Sequence, residues 1–230
     1  MENKCKVGSC VDCFDKSPLF KLMSTEELQQ IEETRYEVVF KPNEIIYKQG
    51  TNATQIVTIT EGLAKAYIEG PEKDFIIDIF KSYTMISGPG IYVDYKHHFS
   101  LKAIEKTQCC FFSMKVFKDI VDNNPKISKM VIEIISKRAI TYFDKFIFLT
   151  QKQVIGKIAG VLIYLNKNIY TTNPMNLTIT YQDIAEMTGM TKDTVVRVLK
   201  DLSHDKVIEI DNTFIKILDF EKLNLFNEIG

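Results

Sequence analysis

No apolar run in the 230 residues approaches the roughly 20 that carry a helix across a bilayer, which argues against a membrane-spanning segment. The start, Met1-Glu2-Asn3-Lys4, leads into polar residues and cysteine rather than the apolar centre of a secretion signal, so a cytoplasmic protein is expected. Histidine is scarce, with only His97, His98 and His204. There is no G-x-S-x-G elbow and no carboxylate pair in a setting suited to acid-base work, so the chain is not read as an enzyme. A basic excess is missing too. The formal net charge is -1, and residues 151–230 hold nine Lys plus Arg against ten Asp plus Glu, so bulk charge lends nothing to a nucleic-acid reading. Internal repeats and low-complexity tracts are absent. What is present is ordinary: 45% hydrophobic and 26% charged residues, in a length that fits two domains with a core each.

The most informative stretch is Thr178 to Asn212. Thr180 suits an N-cap, Asp183 falls in the first turn, and Ile184, Ala185 and Met187 give an apolar face. Thr188-Gly189-Met190-Thr191 breaks that helix. A second begins with Thr191 as its cap and buries Val195, Val198, Leu199 and Leu202, leaving Lys192, Asp193, Val196, Arg197 and Lys200 on the outer side. Two helices joined by a short Gly-bearing turn are the sequence form of a helix-turn-helix, although a helical hairpin inside a core would look the same. Val207 to Ile210, the turn Asp211-Asn212 and Phe214 to Ile217 then read as a hairpin wing. Arg197 could pair with a guanine edge, Asp193 could accept from a cytosine amino group, and Lys192 could reach a base or phosphate.

Thr191-Lys192-Asp193-Thr194-Val195-Val196-Arg197-Val198-Leu199 resembles the recognition-helix motif S/T-x-E-T-[IV]-x-R-[IL]-L of the Crp/Fnr superfamily of bacterial transcription regulators. Two positions depart from it. Asp193 replaces the usual Glu, and Val196 stands where the Fnr branch has Ser and the Crp branch Gly. The resemblance implies double-stranded DNA as the partner, read as a palindromic operator by a homodimer, with RNA polymerase as a further partner. Thr180, Thr191, Lys192, Asp193, Thr194, Val196, Arg197 and Lys200 are its candidate DNA-binding residues.

The rest of the chain fits this frame as an α+β protein: a Cys-containing segment 1–20, a jelly-roll-like β-roll sensor domain 21–122, a dimerisation helix 123–150 and a winged helix-turn-helix domain 151–230. Ser24 opens a short helix. Strand-like pieces then recur from Tyr36 to about Phe117, separated by turns such as Lys41-Pro42-Asn43, Gln49-Gly50 and Glu61-Gly62. Asn124 and Pro125 announce a helix to about Leu149. Its Ile132, Ile135, Ala139, Tyr142, Phe146 and Leu149 follow the three-and-four spacing of a coiled-coil seam, while Ile127, Val131 and Ile134 form a second stripe able to rest on the sensor. Val154 to Asn166 is expected as the first helix of the last domain, followed by a loop through Asn173 to Asn176.

The signal is where alternatives stay open. Cys5, Cys10 and Cys13 with Cys110 could hold a [4Fe-4S] cluster or zinc, act as redox thiols, or be incidental. The resemblance implies a cluster for oxygen-sensing members, and Cys10 and Cys13 match its C-x2-C pair. Its third N-terminal ligand is expected where this chain has Leu19 and Phe20, so Cys5 would have to substitute. Cys109 and Cys110 should face opposite sides of their strand, leaving one as a ligand. His97 and His98 admit haem, or simply form a polar hairpin. Cyclic AMP is disfavoured, since Gly88 and Phe99 stand near the positions of the Glu and Arg that hold its ribose and phosphate in the family. A regulator responding to redox state, oxygen or nitric oxide is the leading reading; a metal or redox protein whose helix-turn-helix binds a protein is the other.

Overall fold

The computed structural model describes residues 17–230. Cys5, Cys10 and Cys13 therefore lie outside the described residues. The chain divides into two compact units: one takes the chain up to Glu69 together with Asp78–Ala139, the other Gly70–Ile77 together with Ile140–Gly230.

In the first unit, α1 (Thr25–Thr34) begins as expected at Ser24. The Ser24 hydroxyl accepts from the Glu27 N–H at 3.2 Å and the Glu27 carboxylate accepts from the Ser24 N–H at 2.7 Å, so two otherwise orphaned donors are satisfied reciprocally. Eight strands follow, the first residues of β5 counting with the second unit: β1 (Tyr36–Phe40), β2 (Ile45–Tyr47), β3 (Gln55–Glu61), β4 (Leu63–Ile68), β5 (Phe75–Lys81), β6 (Thr84–Ile86), β7 (Ser100–Ala103) and β8 (Thr107–Ser113). They form two four-stranded sheets in the orders β1-β8-β3-β6 and β2-β7-β4-β5. The bend between β3 and β4 needs glycine: Gly62 has φ +88°, and a Cβ there would lie 2.5 Å from the Lys106 carbonyl oxygen. β6 was too short to stand out in the sequence.

The expected run of strands to Phe117 is corrected. Ser113 ends β8 and caps α2 (Met114–Asn123), accepting from the Val116 N–H, and Met114, Phe117, Ile120 and Val121 turn one helical face inward. The apolar run of β8 resumes in that face after Ser113, with Lys115 as the one charge before Phe117, which hides the change of period. Asn124 then starts α3 (Pro125–Gln151), its side-chain oxygen accepting from the N–H groups of Lys126 and Ile127 at 3.1 and 3.4 Å. Ile127 and Val131 join Leu28, Ile31, Phe112 and Phe117 in one core cluster, so the second stripe of α3 does rest on the strand-bearing unit. Burying each of these side chains is worth about 1.5–3 kcal/mol.

In the second unit, α4 (Val154–Tyr164) buries Ile158, Val161 and Leu162 and runs into a π-helical turn, Leu165–Tyr170. Then come β9 (Met175–Asn176), α5 (Tyr181–Thr188), α6 (Lys192–His204), β10 (Ile208–Asp211), β11 (Phe214–Ile217) and α7 (Phe220–Ile229). The loop expected over Asn173–Asn176 is corrected in its second half, where Met175 and Asn176 pair with Ile215 and Phe214. α7 was not anticipated. It packs on α4 where Gly156 and Gly160, one helical turn apart, bare the backbone: a Cβ on Gly156 would lie 2.7 Å from the Gly230 carbonyl carbon, and one on Gly160 2.7 Å from both Asn227 Oδ1 and the Phe148 ring.

Candidate nucleic-acid interface

Thr180 and Thr191 set the two helices of the motif. The Thr180 hydroxyl accepts from the Asp183 N–H at 3.1 Å and donates to the Asp183 carboxylate at 2.7 Å, and that carboxylate also accepts from the Thr180 N–H. This capping box uses the hydroxyl that the sequence offered as a DNA contact. Gly189 ends α5 in the left-handed region at φ +68°. Thr191 accepts from the Thr194 N–H to open α6, and the two threonine hydroxyls lie 2.9 Å apart.

The inner faces match the expected ones. Ile184, Ala185 and Met187 of α5 and Val195, Val198, Leu199 and Leu202 of α6 are buried. Outward, Thr191, Lys192, Asp193, Arg197 and Lys200 are exposed, with Thr194 and Val196 half-buried. Among the described residues Lys192, Asp193, Arg197 and Lys200 make no hydrogen bond or ion pair, so two donors, one acceptor and one guanidinium fork stand ready on one surface. The wing is the antiparallel pair β10 and β11, joined at Asn212 with φ +52°.

Several residues that hold this surface are invisible to local patterns. The Tyr170 hydroxyl accepts from the N–H groups of Thr178 and Ile179 at 2.9 and 3.1 Å, fixing the approach to α5. Asn173 grips Ile217 twice, donating to its carbonyl at 2.8 Å and accepting from its N–H at 2.9 Å, as a strand neighbour would. Lys73 donates to the Gly189 carbonyl in the turn itself. Lys152 donates to the backbone and side-chain oxygens of Asn227, which ties the start of α4 to α7. The Gly156-to-Gly160 spacing is the one local signal that could have pointed to the packing of α7 on α4.

Along α3 four of the six expected seam residues are exposed. Ile132, Ile135, Tyr142 and Phe146 are exposed, Phe146 at 66%; Ala139 and Leu149 are half-buried. Ile140, Phe143 and Ile147 add a parallel exposed stripe that the seam did not include, Phe143 at 70%. A symmetric partner would bury both stripes.

The sensor candidates diverge. Cys109 and Cys110 do face opposite sides of β8. Burial, with Cys110 adding to it, pushes the Cys109 thiol up to about 12, so it stays protonated and inert. Cys110 is buried on the Phe112 side, in a small recess with Phe20, Arg35, Glu37, Thr58 and Thr60. His97 stacks on Tyr47 at 3.9 Å, and burial lowers its pKa; His98 pairs with Asp94 at 3.1 Å. Phe99, standing near the expected cation position, is buried against Tyr47 at 5.7 Å, and the adjacent Ser100 donates to Glu69 and accepts from the Gln49 N–H, both at 2.8 Å. Among the described residues no trio of His, Cys, Asp or Glu comes close enough to hold a metal ion, and no helix is long and apolar enough to cross a membrane.

Comparison with known proteins gives each unit a family. Residues 37–124 match the cyclic nucleotide-binding domain and residues 156–226 the Crp-like helix-turn-helix domain. The chain is 22% identical over 209 residues to Electron transport regulator A of Shewanella oneidensis, covering 88% of this chain and 83% of that protein. It is 22% identical over 219 residues to the nitrogen fixation regulation protein FixK of Bradyrhizobium diazoefficiens, covering 91% and 90%. Among solved structures, that of FixK2 from Bradyrhizobium japonicum superposes with a TM-score of 0.78 at 16% identity, over 85% of this chain and 98% of that one, a likeness of fold.

Proposed function

The chain belongs to the Crp/Fnr superfamily of transcription regulators, and from that premise we propose that two copies grip a palindromic operator with one α6 in the major groove of each half-site. It is a DNA-binding regulator. The observation that carries the operator reading is the outer face of α6, where Lys192, Asp193, Arg197 and Lys200 have no partner in the chain among the described residues while the buried face is fully packed. A dimer is needed because one recognition helix reads too few base pairs, and α3 carries the apolar stripes on which a second copy would pair. Signal binding would favour one arrangement of the paired helices by differential affinity, bringing the two α6 helices to half-site spacing or away from it. RNA polymerase as a partner, a cytoplasmic location and the lack of a catalytic role belong to the same proposal.

For the signal, Cys110 is the described thiol suited to a soft metal, because Cys109 is held protonated on the other face. A [4Fe-4S] cluster held by Cys110 with Cys5, Cys10 and Cys13 would supply a centre sensitive to oxygen or nitric oxide. The buried Phe99 and the internally paired Ser100 speak against the usual cyclic phosphate contacts.

Selection from a random duplex library with purified protein tests the operator reading. The expected product is a two-fold palindrome whose half-sites are about one helical turn apart. Recovery of no common sequence would sink it in favour of a thiol protein that binds another protein. Visible absorption with iron and sulfide analysis, on protein purified anaerobically, separates a cluster from zinc, haem or bare thiols.

A further inference from the structure

The exposed face of α6 mixes side chains of different chemistry. Asp193 only accepts hydrogen bonds, Arg197 only donates them, Lys200 offers a mobile charge, and Val196 does none of these. The core of the helix does not account for Val196, since Val195, Val198, Leu199 and Leu202 form it. Val196 instead stays half-bare and borders two shallow depressions of the surface, one shared with Asp193 and Arg197, the other with Tyr181 and Ile210. A branched apolar side chain cannot hold a phosphate or pair with the polar base edges. The apolar group that the major groove does offer is the C5-methyl of thymine.

We propose that Val196 packs on a thymine methyl, so that each half-site carries a thymine within two base pairs of the guanine read by Arg197. This rests on the reading of α6 as the helix that enters the groove. The rise of an α-helix places Val196 about 1.5 Å along the axis from Arg197 and about 4.5 Å from Asp193. A base step is about 3.4 Å, so the three side chains meet the same or adjoining base pairs. The contact discriminates by shape: cytosine lacks the methyl and presents a polar amino group that valine leaves unpaired. A 5-methylcytosine carries the same methyl and would recover part of the contact.

The test is a cycle between protein and DNA. Starting from the selected operator, each thymine of one half-site is replaced in turn by deoxyuridine, which removes the methyl alone. Affinity is measured for the wild type and for Val196→Ser, whose common fold is checked by thermal melting. The wild type should lose about fourfold at one position, the worth of one buried methyl-sized group. Val196→Ser should bind thymine and uracil equally there. The inference is overturned if the wild type is indifferent to uracil throughout, if Val196→Ser keeps the same uracil sensitivity, or if the half-sites lack such a thymine. Should no operator be selected, the reading of α6 fails and this inference with it. An operator whose binding depends on Arg197 but shows a flat methyl cycle removes the Val196 assignment alone.

Discussion

Replacing Arg197 by Ala isolates base readout from fold. Arg197 is exposed, lies on the face of α6 opposite the buried Val195, Val198, Leu199 and Leu202, and makes no hydrogen bond or ion pair among the described residues. Its loss should therefore change stability by no more than about 0.5 kcal/mol, the usual range for such surface sites. Each bidentate guanine contact is worth about 1–3 kcal/mol, and a palindrome holds two, so specific affinity should fall by about 2–6 kcal/mol, or about thirtyfold to twenty-thousandfold. Fluorescence anisotropy of labelled operator and of scrambled duplex, repeated from 50 to 200 mM salt, reads this. A base contact predicts a large loss on the operator, little loss on scrambled DNA and a nearly unchanged salt slope. A phosphate contact predicts a uniform loss and a slope shallower by about 0.9 for each half-site. The second pattern would refute the assignment of Arg197 as a reader, and unchanged operator binding would remove α6 from the groove.

Phe146→Asp should break the dimer: removing one phenyl group of about 1.5–3 kcal/mol from each copy weakens association between about 150-fold and twenty-thousandfold, seen as monomer in sedimentation, with operator affinity lost alongside. A dimer of unchanged strength would place the interface elsewhere. Gly160→Val should destabilise the second unit by about 1–3 kcal/mol, because even a Cβ there lies 2.7 Å from Asn227 Oδ1 and from the Phe148 ring; an unshifted melting curve would mean that α7 swings free of α4. Cys109 supplies a pH test. Its thiol ionises at 9.0 when exposed but near 12 when folded, so the unfolded chain sheds the proton first. Stability should therefore fall as pH rises from 9.0 toward about 12, by about 1.4 kcal/mol for each unit. Urea unfolding of wild type and Cys109→Ala should diverge at that rate above pH 9.0, and parallel curves would contradict the buried assignment.

The reading unit was the most legible part of the chain because its signals are local. Thr180 with Asp183, Gly189 and Thr191 are start, stop and start marks within twelve positions, and the buried residues of α6 keep helical period. α2 was missed for the opposite reason: Cys109 to Phe112 are apolar in succession, Met114, Val116 and Phe117 follow with Lys115 alone among them, and only the Ser113 cap divides a strand from a helix. α7 failed to register because much of it is exposed and Leu223 alone is deeply buried, so its period is faint. Lys73, Asn173 and Tyr170 act across 116, 44 and 8 residues on backbone groups that carry no sequence identity, so no pattern could announce them.

Charge sharpens what the second unit must do. With nine cations against ten acids over residues 151–230, the unit has little field with which to hold DNA indiscriminately. On the proposed reading Lys192 and Lys200 would be the phosphate contacts of α6, and from α6 through the wing the cations Lys192, Arg197, Lys200, Lys206 and Lys216 face as many acids, Asp193, Asp201, Asp205, Glu209 and Asp211. Few phosphate contacts would mean a shallow salt slope and weak non-specific binding, so on the proposed reading affinity would come from directed contacts at Arg197, Asp193 and Val196. One copy makes too few of these to hold an operator. Two copies joined through α3, as proposed, would double them while spending the entropy of association once, and the exposed stripe from Ile132 to Ile147 would then matter for DNA binding as much as α6 itself. A signal that alters only the pairing of α3 could therefore switch operator occupancy without touching a residue that contacts DNA.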